Sequence, residues 1–491
     1  MKLYLFNHNY KYAAEQMLLT IFPKERPEYP EGKPCGDRAE LYLHEGEKRC
    51  TAVCRLVLDE KSYMGRAFVP IDKLCDELSR ARYLQRIVKL SFYRAALRSG
   101  VERPVWGALT GIRPGKLLSN LLEDGMSEAA AVSKFCRDND VSKERAQLCL
   151  HTAKSGLACA AALEPRDICL YVGIPFCPTR CSYCSFVSQS VQKSMKLIPD
   201  YLSALYREID ATAETCRELG LRPVALYMGG GTPTTLSHRQ LDELCARLAS
   251  AFDLSALREY TVEAGRPDTI TSEKLRVLKQ HGVTRVSVNP QTMNDEVLEA
   301  IGRKHSASDV LDALRTVRDI GGIEINMDLI AGLPLDTPQT FKNTLDTVLE
   351  LRPENITVHT LALKKGSEIM LGNTPRPSAA QVGEMLEYAN KTLYLSGFKP
   401  YYLYRQKYMS GGFENVGWQR GGSESIYNIC IMEELCSIIS MGGGASTKLC
   451  AGSGRIERLF DPKYPAEYIE SIEKIIASKN SIKECLNWLI T

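Results

Sequence analysis

Three cysteines, Cys177, Cys181 and Cys184, lie close together in the stretch YVGIPFCPTRCSYCSF. Thiolates are the ligands that hold iron–sulfur clusters, and three of them leave one iron of a 4Fe–4S cluster without a protein ligand. A substrate or a cofactor can bind that open iron. A structural zinc site normally has four ligands, and no histidine or fourth cysteine lies within this loop. The spacing therefore favours an iron–sulfur cluster over zinc or buried thiols.

A run of three glycines occurs downstream in MGGGTPT, residues 228–234. Consecutive glycines let a ligand approach the backbone closely, and their free amides and carbonyls can bind polar groups. A glycine-rich turn alone is weak evidence of a site. Here it follows the second of a series of predicted strands, and the first strand of that series leads into the cysteine loop. This context predicts a ligand pocket.

Polar side chains also lie at or near the ends of the next predicted strands. Glu263 ends the third strand, Gln291 follows the fourth, and Asp328 lies within the fifth. The carboxyl ends of parallel strands meet at one edge of a barrel, and buried carboxylates need donors such as the hydroxyls of a ribose. Each residue taken singly could equally be a loop cap, but together they predict a pocket for a nucleoside.

The elements that position these residues follow an α/β pattern from about residue 166 onward. Apolar strand-like runs alternate with amphipathic helical patterns. The helices are predicted to begin near Ile198, Arg239, Ser272, Asp295, Thr337 and Ala379, and the strands are ICLYVGI, PVALYMG, REYTVEAG, RVSVNP, IEINMDLIAG and NITVHTLAL. Because parallel strands need crossover helices, six such units predict a parallel sheet curved into a partial (β/α)6 barrel.

Two further regions flank the predicted barrel domain, which spans residues 166–400. Residues 1–165 form a predicted N-terminal accessory α/β domain. They open with the strand KLYLF and a helix from Lys11, continue with the strands AELYLH and RCTAVCRLVL, and then become mostly helical. Residues 401–491 form a predicted small C-terminal α+β region that covers the substrate.

The loop LTGIRPGK, residues 109–116, concentrates glycine, proline and two cations. Arg113 and Lys116 could contact an anion, because exposed amides and cations near the start of a helix suit one. A turn that joins two helices is the favoured interpretation, since glycine and proline often serve only as turn residues.

The composition, 491 residues with 44% hydrophobic and 25% charged, excludes a disordered or fibrous chain. A formal net charge of +3 gives no broad basic surface, so neither a nucleic acid nor a membrane is expected as a partner. The sequence has no signal-peptide core and no long apolar run, which predicts a cytoplasmic protein. Most of the 17 cysteines are expected to be reduced, buried thiols; six of these are Cys54, Cys75, Cys149, Cys169, Cys245 and Cys436.

These motifs resemble the radical S-adenosylmethionine (SAM) superfamily, and within it the oxygen-independent coproporphyrinogen III oxidase family, particularly its HemZ-type branch. The resemblance rests on YVGIPFCPTRCSYCSF, YMGGGTPT, TVEAGRP, RVSVNPQTMNDEVLEAIGRKH and NMDLIAGLPLDTPQTF, between about residues 166 and 450. The branch adds LTGIRPGK upstream and YLYRQKYMSGGFENVGW downstream. Nearly the whole chain is thereby covered.

The resemblance implies which residues bind the cofactors. The three cysteines of the loop would hold a 4Fe–4S cluster whose open iron chelates the amino and carboxylate groups of SAM. Tyr171 and Gly230 match positions near a first SAM, Glu263 matches the carboxylate that binds its ribose, and Phe186 belongs to the same predicted cofactor site. The positions that match contacts to a second SAM or to the substrate are Tyr183, Gly231, Thr232, Gln291, Arg303, Asp328 and Ala362.

The implied activity is that of a radical SAM oxidoreductase of the coproporphyrinogen dehydrogenase type. It would convert two propionate side chains of coproporphyrinogen III to vinyl groups, giving protoporphyrinogen IX for haem biosynthesis. The implied electron donor is a low-potential flavodoxin or ferredoxin. Arg303, Lys364 and Lys365 could hold substrate carboxylates, although a solvated turn is at least as well supported for the lysine pair.

Some features depart from the pattern of the family. Gly173 stands where many members have a histidine, which removes a titratable donor. Ser185 follows the third cysteine, so the additional cysteine that some oxidases carry near this point is missing. These differences leave open a haem chaperone or another radical SAM enzyme acting on a tetrapyrrole, such as a haem-degrading methyltransferase. An RNA-modifying enzyme that binds RNA through residues 1–165 is a further alternative, disfavoured by the modest charge.

Overall fold

The computed structural model describes residues 1–184, 189–190, 194–362, 374–406, 410–450 and 456–486. The chain divides into two compact units. The first comprises Met1–Ile112 and Gly125–Gln147, and the second comprises Arg113–Asp124 and Leu148–Thr491. The division of the chain at residues 165 and 400 stays a prediction.

The first unit is built on a four-stranded sheet. Its strands are β1 (Lys2–Phe6), β2 (Arg38–Glu45), β3 (Arg49–Leu58) and β4 (Lys61–Pro70). The helices up to residue 161 of the chain are α1 (Lys11–Ile21), α2 (Glu77–Arg98), α3 (Pro114–Glu123), α4 (Glu128–Asn139) and α5 (Lys143–Ala161). Strand β1 pairs parallel to β2, and the remaining pairs are antiparallel. The N-terminal α/β domain expected from the sequence therefore contains a β-sheet. Its fourth strand, β4, was not predicted.

Helix α2 packs directly against β4 at Gly65. A Cβ atom at this position would collide with the backbone of Ser91 and Ala95, so glycine is what lets the helix approach the strand. This glycine interrupts the apolar alternation of β4, which explains why the strand is hard to detect in the sequence. The core of the unit includes Met17, Leu41, Cys54, Val88 and Phe92.

The second unit contains six parallel strands in the predicted order along the chain. They are β5 (Asp167–Ile174), β8 (Arg222–Gly230), β9 (Glu259–Glu263), β10 (Arg285–Ser287), β11 (Glu324–Ala331) and β12 (Asn355–Thr360), with β6 (Phe176–Cys177) and β7 (Gln189–Ser190) forming a separate small pair. Each strand of the six pairs parallel to the next. The predicted α/β barrel fold is confirmed.

The connecting helices match the predicted starts to within one residue. They are α6 (Ile198–Glu218), α7 (His238–Ala251), α8 (Ser272–Gln280), α9 (Asp295–Ala300), α10 (Ala307–Ile320), α11 (Pro338–Glu350) and α12 (Ala379–Leu395). Helix α10 was not predicted separately; it begins at a capping box in which Ser306 and Asp309 satisfy each other's backbone amides. Short 3-10 turns lie at Ile71–Lys73, Met195–Leu197, Pro233–Thr235, Pro267–Thr269 and Ser410–Gly412.

The C-terminal α+β region adds strands to both edges of the six. They are β13 (Lys399–Arg405), β14 (Glu414–Gln419), β15 (Ser437–Met441), β16 (Ser446–Cys450) and β17 (Ile456–Phe460), and the last helices are α13 (Ile426–Glu433), α14 (Pro465–Glu470), α15 (Ile472–Ser478) and α16 (Asn480–Leu486). Strand β14 pairs antiparallel to β12, and β15 pairs parallel to β5. The second unit thus has one sheet of 11 strands in its described residues.

Five of the six cysteines expected to be buried are so: Cys54, Cys149, Cys169, Cys245 and Cys436. The prediction for Cys75 is wrong, because this residue is exposed just before the N-cap of α2, where its thiol donates to the carbonyl of Asp72. Within the described ranges, none of the helices combines the length and apolar character that crossing a membrane requires.

Candidate active site

The cysteine loop follows the carboxyl end of β5. Cys181 is buried, while Cys177 and Cys184 are half-buried. The sulfur of Cys177 lies 3.4 Å from the hydroxyl of Thr232, which belongs to the glycine-rich turn. The amide of Ser182 donates to the carbonyl of Ile301 at 3.0 Å and fixes the loop to the chain after α9. The first two predicted features of the site, the cysteines and the glycine turn, are therefore neighbours.

Two guanidinium groups flank Cys181. Arg266 Nη1 donates to the Cys181 sulfur at 3.4 Å, and its Nη2 donates to the hydroxyl of Thr179 at 2.7 Å. The guanidinium of Arg303 also interacts electrostatically with this residue. Two buried positive charges therefore lie beside the sulfur of Cys181. Arg266 was not among the predicted site residues, although it lies in the motif TVEAGRP.

The glycine run holds the end of β8 against the start of the cysteine loop. The amide of Gly231 donates to Ile174 at 2.8 Å, and that of Thr232 donates to Phe176 at 2.7 Å, both to backbone carbonyls. A Cβ on Gly231 would lie 2.5 Å from the Phe176 carbonyl oxygen, and Gly230 has φ +103°. The close approach at Gly231 and the positive φ at Gly230 explain why both positions are glycine.

Glu263 lies at the end of β9, and both of its hydrogen-bond donors belong to β8. The hydroxyl of Tyr227 donates to Glu263 Oε1 at 2.6 Å, and the amide of Gly230 donates to the same carboxylate. Burial raises the pKa of Glu263 to about 7, and these two donors partly oppose that rise. Tyr171 and Tyr427 stack with Tyr227 beneath the carboxylate. Glu263 is therefore a half-buried acid whose pKa is raised to about 7.

Asp328 is held by donors from three neighbouring strands or their ends. Asn289 Nδ2 and Asn326 Nδ2 each donate to it at 2.8 Å, and His359 Nε2 lies 3.8 Å from Oδ2. Burial alone would raise the pKa of Asp328. Hydrogen bonds from His359, Asn326 and Thr357, together with the Coulombic effect of His359, keep this pKa below its usual value. Asp328 is thus an ionised carboxylate inside the barrel.

Gln291 and Arg303 shape the backbone between these carboxylates. Gln291 has φ +67°, and its amide donates to the backbone carbonyl of Asp328 at 2.9 Å. Arg303 donates through Nη1 to the carbonyls of Asn289 at 2.7 Å and Gly265 at 3.3 Å, and through Nη2 to the hydroxyl of Tyr183 at 3.3 Å. Most of the Arg303 donors are therefore used to hold neighbouring loops in place.

Several buried polar atoms near the cysteine loop have no partner in the protein. They are Ser182 Oγ, Arg303 Nε and both ring nitrogens of His305. Desolvation, together with the charges of the adjacent Arg303 and Arg266, lowers the pKa of His305 to about 4, so the ring is neutral at neutral pH. Unpaired buried donors are costly unless a bound group satisfies them. A buried thiol beside guanidinium groups, two half-buried thiols in the same loop and unpaired polar atoms nearby fit an iron–sulfur cluster and a polar cofactor.

The other residues predicted from the sequence lie just after β12, outside the described residues, or in the loop before α3. Ala362 lies two residues beyond the end of β12, whereas Phe186, Lys364 and Lys365 fall outside the described residues. In the loop before α3, Arg113 Nη1 lies 2.5 Å from a carboxylate oxygen of Glu434, and Lys116 lies 3.5 Å from the same atom. Both cations of that loop are thus paired within the protein, as the favoured interpretation of a structural turn requires.

The comparisons with known proteins agree with this geometry. A family model of the radical SAM superfamily matches residues 171–348. The chain is 40% identical to the oxygen-independent coproporphyrinogen-III oxidase-like protein HemZ of Bacillus subtilis, over 75% of this chain and 75% of that protein. It is 33% identical to the heme chaperone HemW of the same organism, over 53% of this chain and 65% of HemW.

A solved structure also matches. Coproporphyrinogen III oxidase (HemN) from Escherichia coli, described as a radical SAM enzyme, aligns with a TM-score of 0.53 and 25% identity, over 65% of this chain and 72% of that one. The relatives thus include proteins named as oxidases and proteins named as heme chaperones. Their shared fold, together with the cysteine loop and the carboxylates at the strand ends, places this chain in the radical SAM superfamily, in the HemZ-type family of oxygen-independent coproporphyrinogen III oxidase-like proteins.

Proposed function

We propose that the chain is an oxygen-independent coproporphyrinogen III oxidase that decarboxylates two propionate side chains to vinyl groups and yields protoporphyrinogen IX. The observation that carries the proposal is the 40% identity to HemZ over 75% of the chain, combined with the assembly of the predicted pocket residues around one cysteine loop. A tetrapyrrole substrate and a low-potential flavodoxin or ferredoxin as electron donor belong to the same proposal.

Cys177, Cys181 and Cys184 would hold the cluster, and Arg266 and Arg303 would compensate its thiolate charge at Cys181. When bound, a 4Fe–4S cluster with SAM supplies a 5′-deoxyadenosyl radical that removes a hydrogen atom from the substrate. The buried walls of the pocket would shield that chemistry from water.

The carboxylates of the pocket would orient the nucleoside part of SAM. Glu263 in its ionised form accepts hydrogen bonds, and the ribose hydroxyls of SAM are suitable donors. The donors already on Glu263, Tyr227 and Gly230, fix the direction of the remaining lone pairs. Asp328 stays ionised beside His359 and could accept from a second SAM or from the tetrapyrrole.

The test is an anaerobic assay of the iron-reconstituted protein with SAM, dithionite and coproporphyrinogen III. We expect 5′-deoxyadenosine and a vinyl-bearing tetrapyrrole to form together. Alanine replacement of any one of Cys177, Cys181 or Cys184 should abolish both products while the barrel stays folded, because the loop lies at its rim. The matched control is Cys245→Ala, which removes a buried thiol from α7 and should leave both products unchanged.

A haem chaperone is the second candidate, because HemW of Bacillus subtilis is 33% identical over 53% of the chain. This function predicts stoichiometric haem binding and transfer of haem to an acceptor protein. The chaperone proposal would replace the oxidase proposal if the protein transferred haem and formed 5′-deoxyadenosine without any vinyl-bearing product. Cleavage of SAM by the Cys181→Ala variant would contradict the cluster assignment under either function.

A further inference from the structure

A second group of thiols lies inside the barrel, near the amino end of β5 and away from the cysteine loop. Cys169 lies on β5, Cys430 on α13, and Cys436 just before β15, and all three are buried. Their sulfur atoms all lie within 4.8 Å of one another. The sulfurs of Cys169 and Cys436 are 3.7 Å apart. Three segments that are distant in sequence therefore bring their thiols to one point.

A fourth thiol approaches the same point from α5. Cys159 is half-buried and packs against the core cluster that contains the other three cysteines, with its sulfur outside the group of three that lie within 4.8 Å of one another. Four cysteines are the complete ligand set of a closed tetrahedral site.

The spacing of the sulfurs fits one ion. Tetrahedral zinc with metal–sulfur bonds of about 2.3 Å places its ligand sulfurs roughly 3.8 Å apart, close to the separation of Cys169 and Cys436. The cysteines of a cubane cluster bind different irons at separate corners, so their sulfurs lie further apart. All four cysteines are free rather than joined by disulfides.

We propose that Cys159, Cys169, Cys430 and Cys436 bind one structural zinc ion. In the part of the chain that the structure describes, Cys169, Cys430 and Cys436 form the single group of three or more metal-ligating side chains gathered this closely. Other buried cysteines, such as Cys245, fill the core as ordinary small hydrophobic residues. Binding releases the thiol protons to solvent and changes no oxidation state.

An entry path for the ion leads to this group. A cavity of about 630 Å³ is lined by Cys159 and Ile426 together with the charged side chains of Arg258, Glu259 and Glu324. The cavity reaches Cys159, the most exposed of the four thiols, so an ion can enter from solvent after the barrel has folded.

The zinc site would fasten α5, β5 and α13 to one another. Cys169 lies two residues before Tyr171 on β5, and Cys430 lies three residues after Tyr427 on α13. These tyrosines stack with Tyr227, which donates to Glu263. The ion would therefore hold the layer on which the candidate SAM pocket rests, and its role is structural whatever the substrate of the enzyme.

Metal analysis of the full chain, purified anaerobically, tests the proposal. We expect about one zinc per chain in addition to iron. The double variant Cys430→Ser/Cys436→Ser should lose the zinc and keep the iron, whereas a variant with Cys177, Cys181 and Cys184 replaced by alanine should lose the iron and keep the zinc. The matched control Cys245→Ser should keep both metals. The readout is independent of decarboxylation, so the proposed function and this site can fail separately.

Cobalt substitution of the unaltered protein covers the case in which the double variant does not fold. Cobalt at four thiolates should give intense sulfur-to-cobalt absorption bands and the visible bands of a tetrahedral ion. A folded wild-type chain that takes up neither zinc nor cobalt at this stoichiometry would overturn the proposal. Zinc retained in the double variant, or iron found at this site in the triple alanine variant, would also overturn it.

Discussion

Protonation of Glu263 should make the binding of SAM depend on pH. Burial raises the pKa of this carboxyl to about 7, and its ionised form is the better acceptor for ribose hydroxyls. In the protein without SAM, about one tenth of Glu263 is ionised at pH 6 and about nine tenths at pH 8. SAM should therefore bind about tenfold more tightly at pH 8 than at pH 6, a difference of about 1.4 kcal/mol.

The effect on folding stability has the opposite sign. A carboxyl whose pKa rises on folding binds more protons in the native state than in the unfolded state. Its contribution to the free energy of unfolding is fully present below its usual value of 4.5 and is lost as the pH rises through about 7. The apo protein should thus become less stable as the pH rises from about 4.5 to about 7.

Anaerobic equilibrium binding of labelled SAM to the reconstituted protein at pH 6, 7 and 8 measures this dependence. Glu263→Gln is the control, because it keeps the shape of the side chain and removes its titration. The amino group of SAM titrates equally with both proteins, so the difference between their pH slopes isolates Glu263. Equal slopes for the two proteins, or a wild-type affinity that is constant from pH 6 to 8, would refute the reasoning.

Other substitutions test the surroundings of the pocket. Tyr227→Phe removes a 2.6 Å donor from Glu263 and should raise its pKa further, weakening SAM binding at pH 7 by about 1 kcal/mol, or roughly fivefold; isothermal titration checks this. Gly231→Ala places a Cβ 2.5 Å from a carbonyl oxygen and should cost about 1–3 kcal/mol of stability together with iron content, measured by thermal unfolding and metal analysis. Arg266→Met should lower the reduction potential of the cluster by an amount on the order of tens of millivolts, because a positive charge beside Cys181 favours the reduced form. Arg266→Lys should recover part of this loss. A redox titration followed by electron spin resonance gives the value.

The barrel could be predicted because its signals are local. Each strand is a short apolar run, and the helices between them begin within one residue of the predicted start, after N-cap residues such as Thr271. The prediction did less well where local pattern is weak. Strand β4 is interrupted by Gly65. Helices α9 and α10 follow each other closely, and only one helix was predicted in their place.

The site could be predicted in part for the same reason. The cysteine loop and the glycine run are compact motifs, and Glu263 ends a clear strand. Arg266, His305 and His359 were missed because an isolated polar residue carries no periodic signal, and only the fold places it beside the pocket. Cys169 and Cys436 were predicted to be ordinary buried thiols, since nothing in their sequence spacing shows that they meet Cys430.

The pairing of β5 has a consequence for synthesis of the chain. Strand β5 lies between β8 and β15, yet Ser437–Met441 leaves the ribosome long after β5 and β8 have been made. Until then, the growing barrel exposes unpaired backbone donors and acceptors along Asp167–Ile174, and open strand edges of this kind promote aggregation. A nascent or C-terminally truncated chain should therefore need chaperone protection that the complete chain does not.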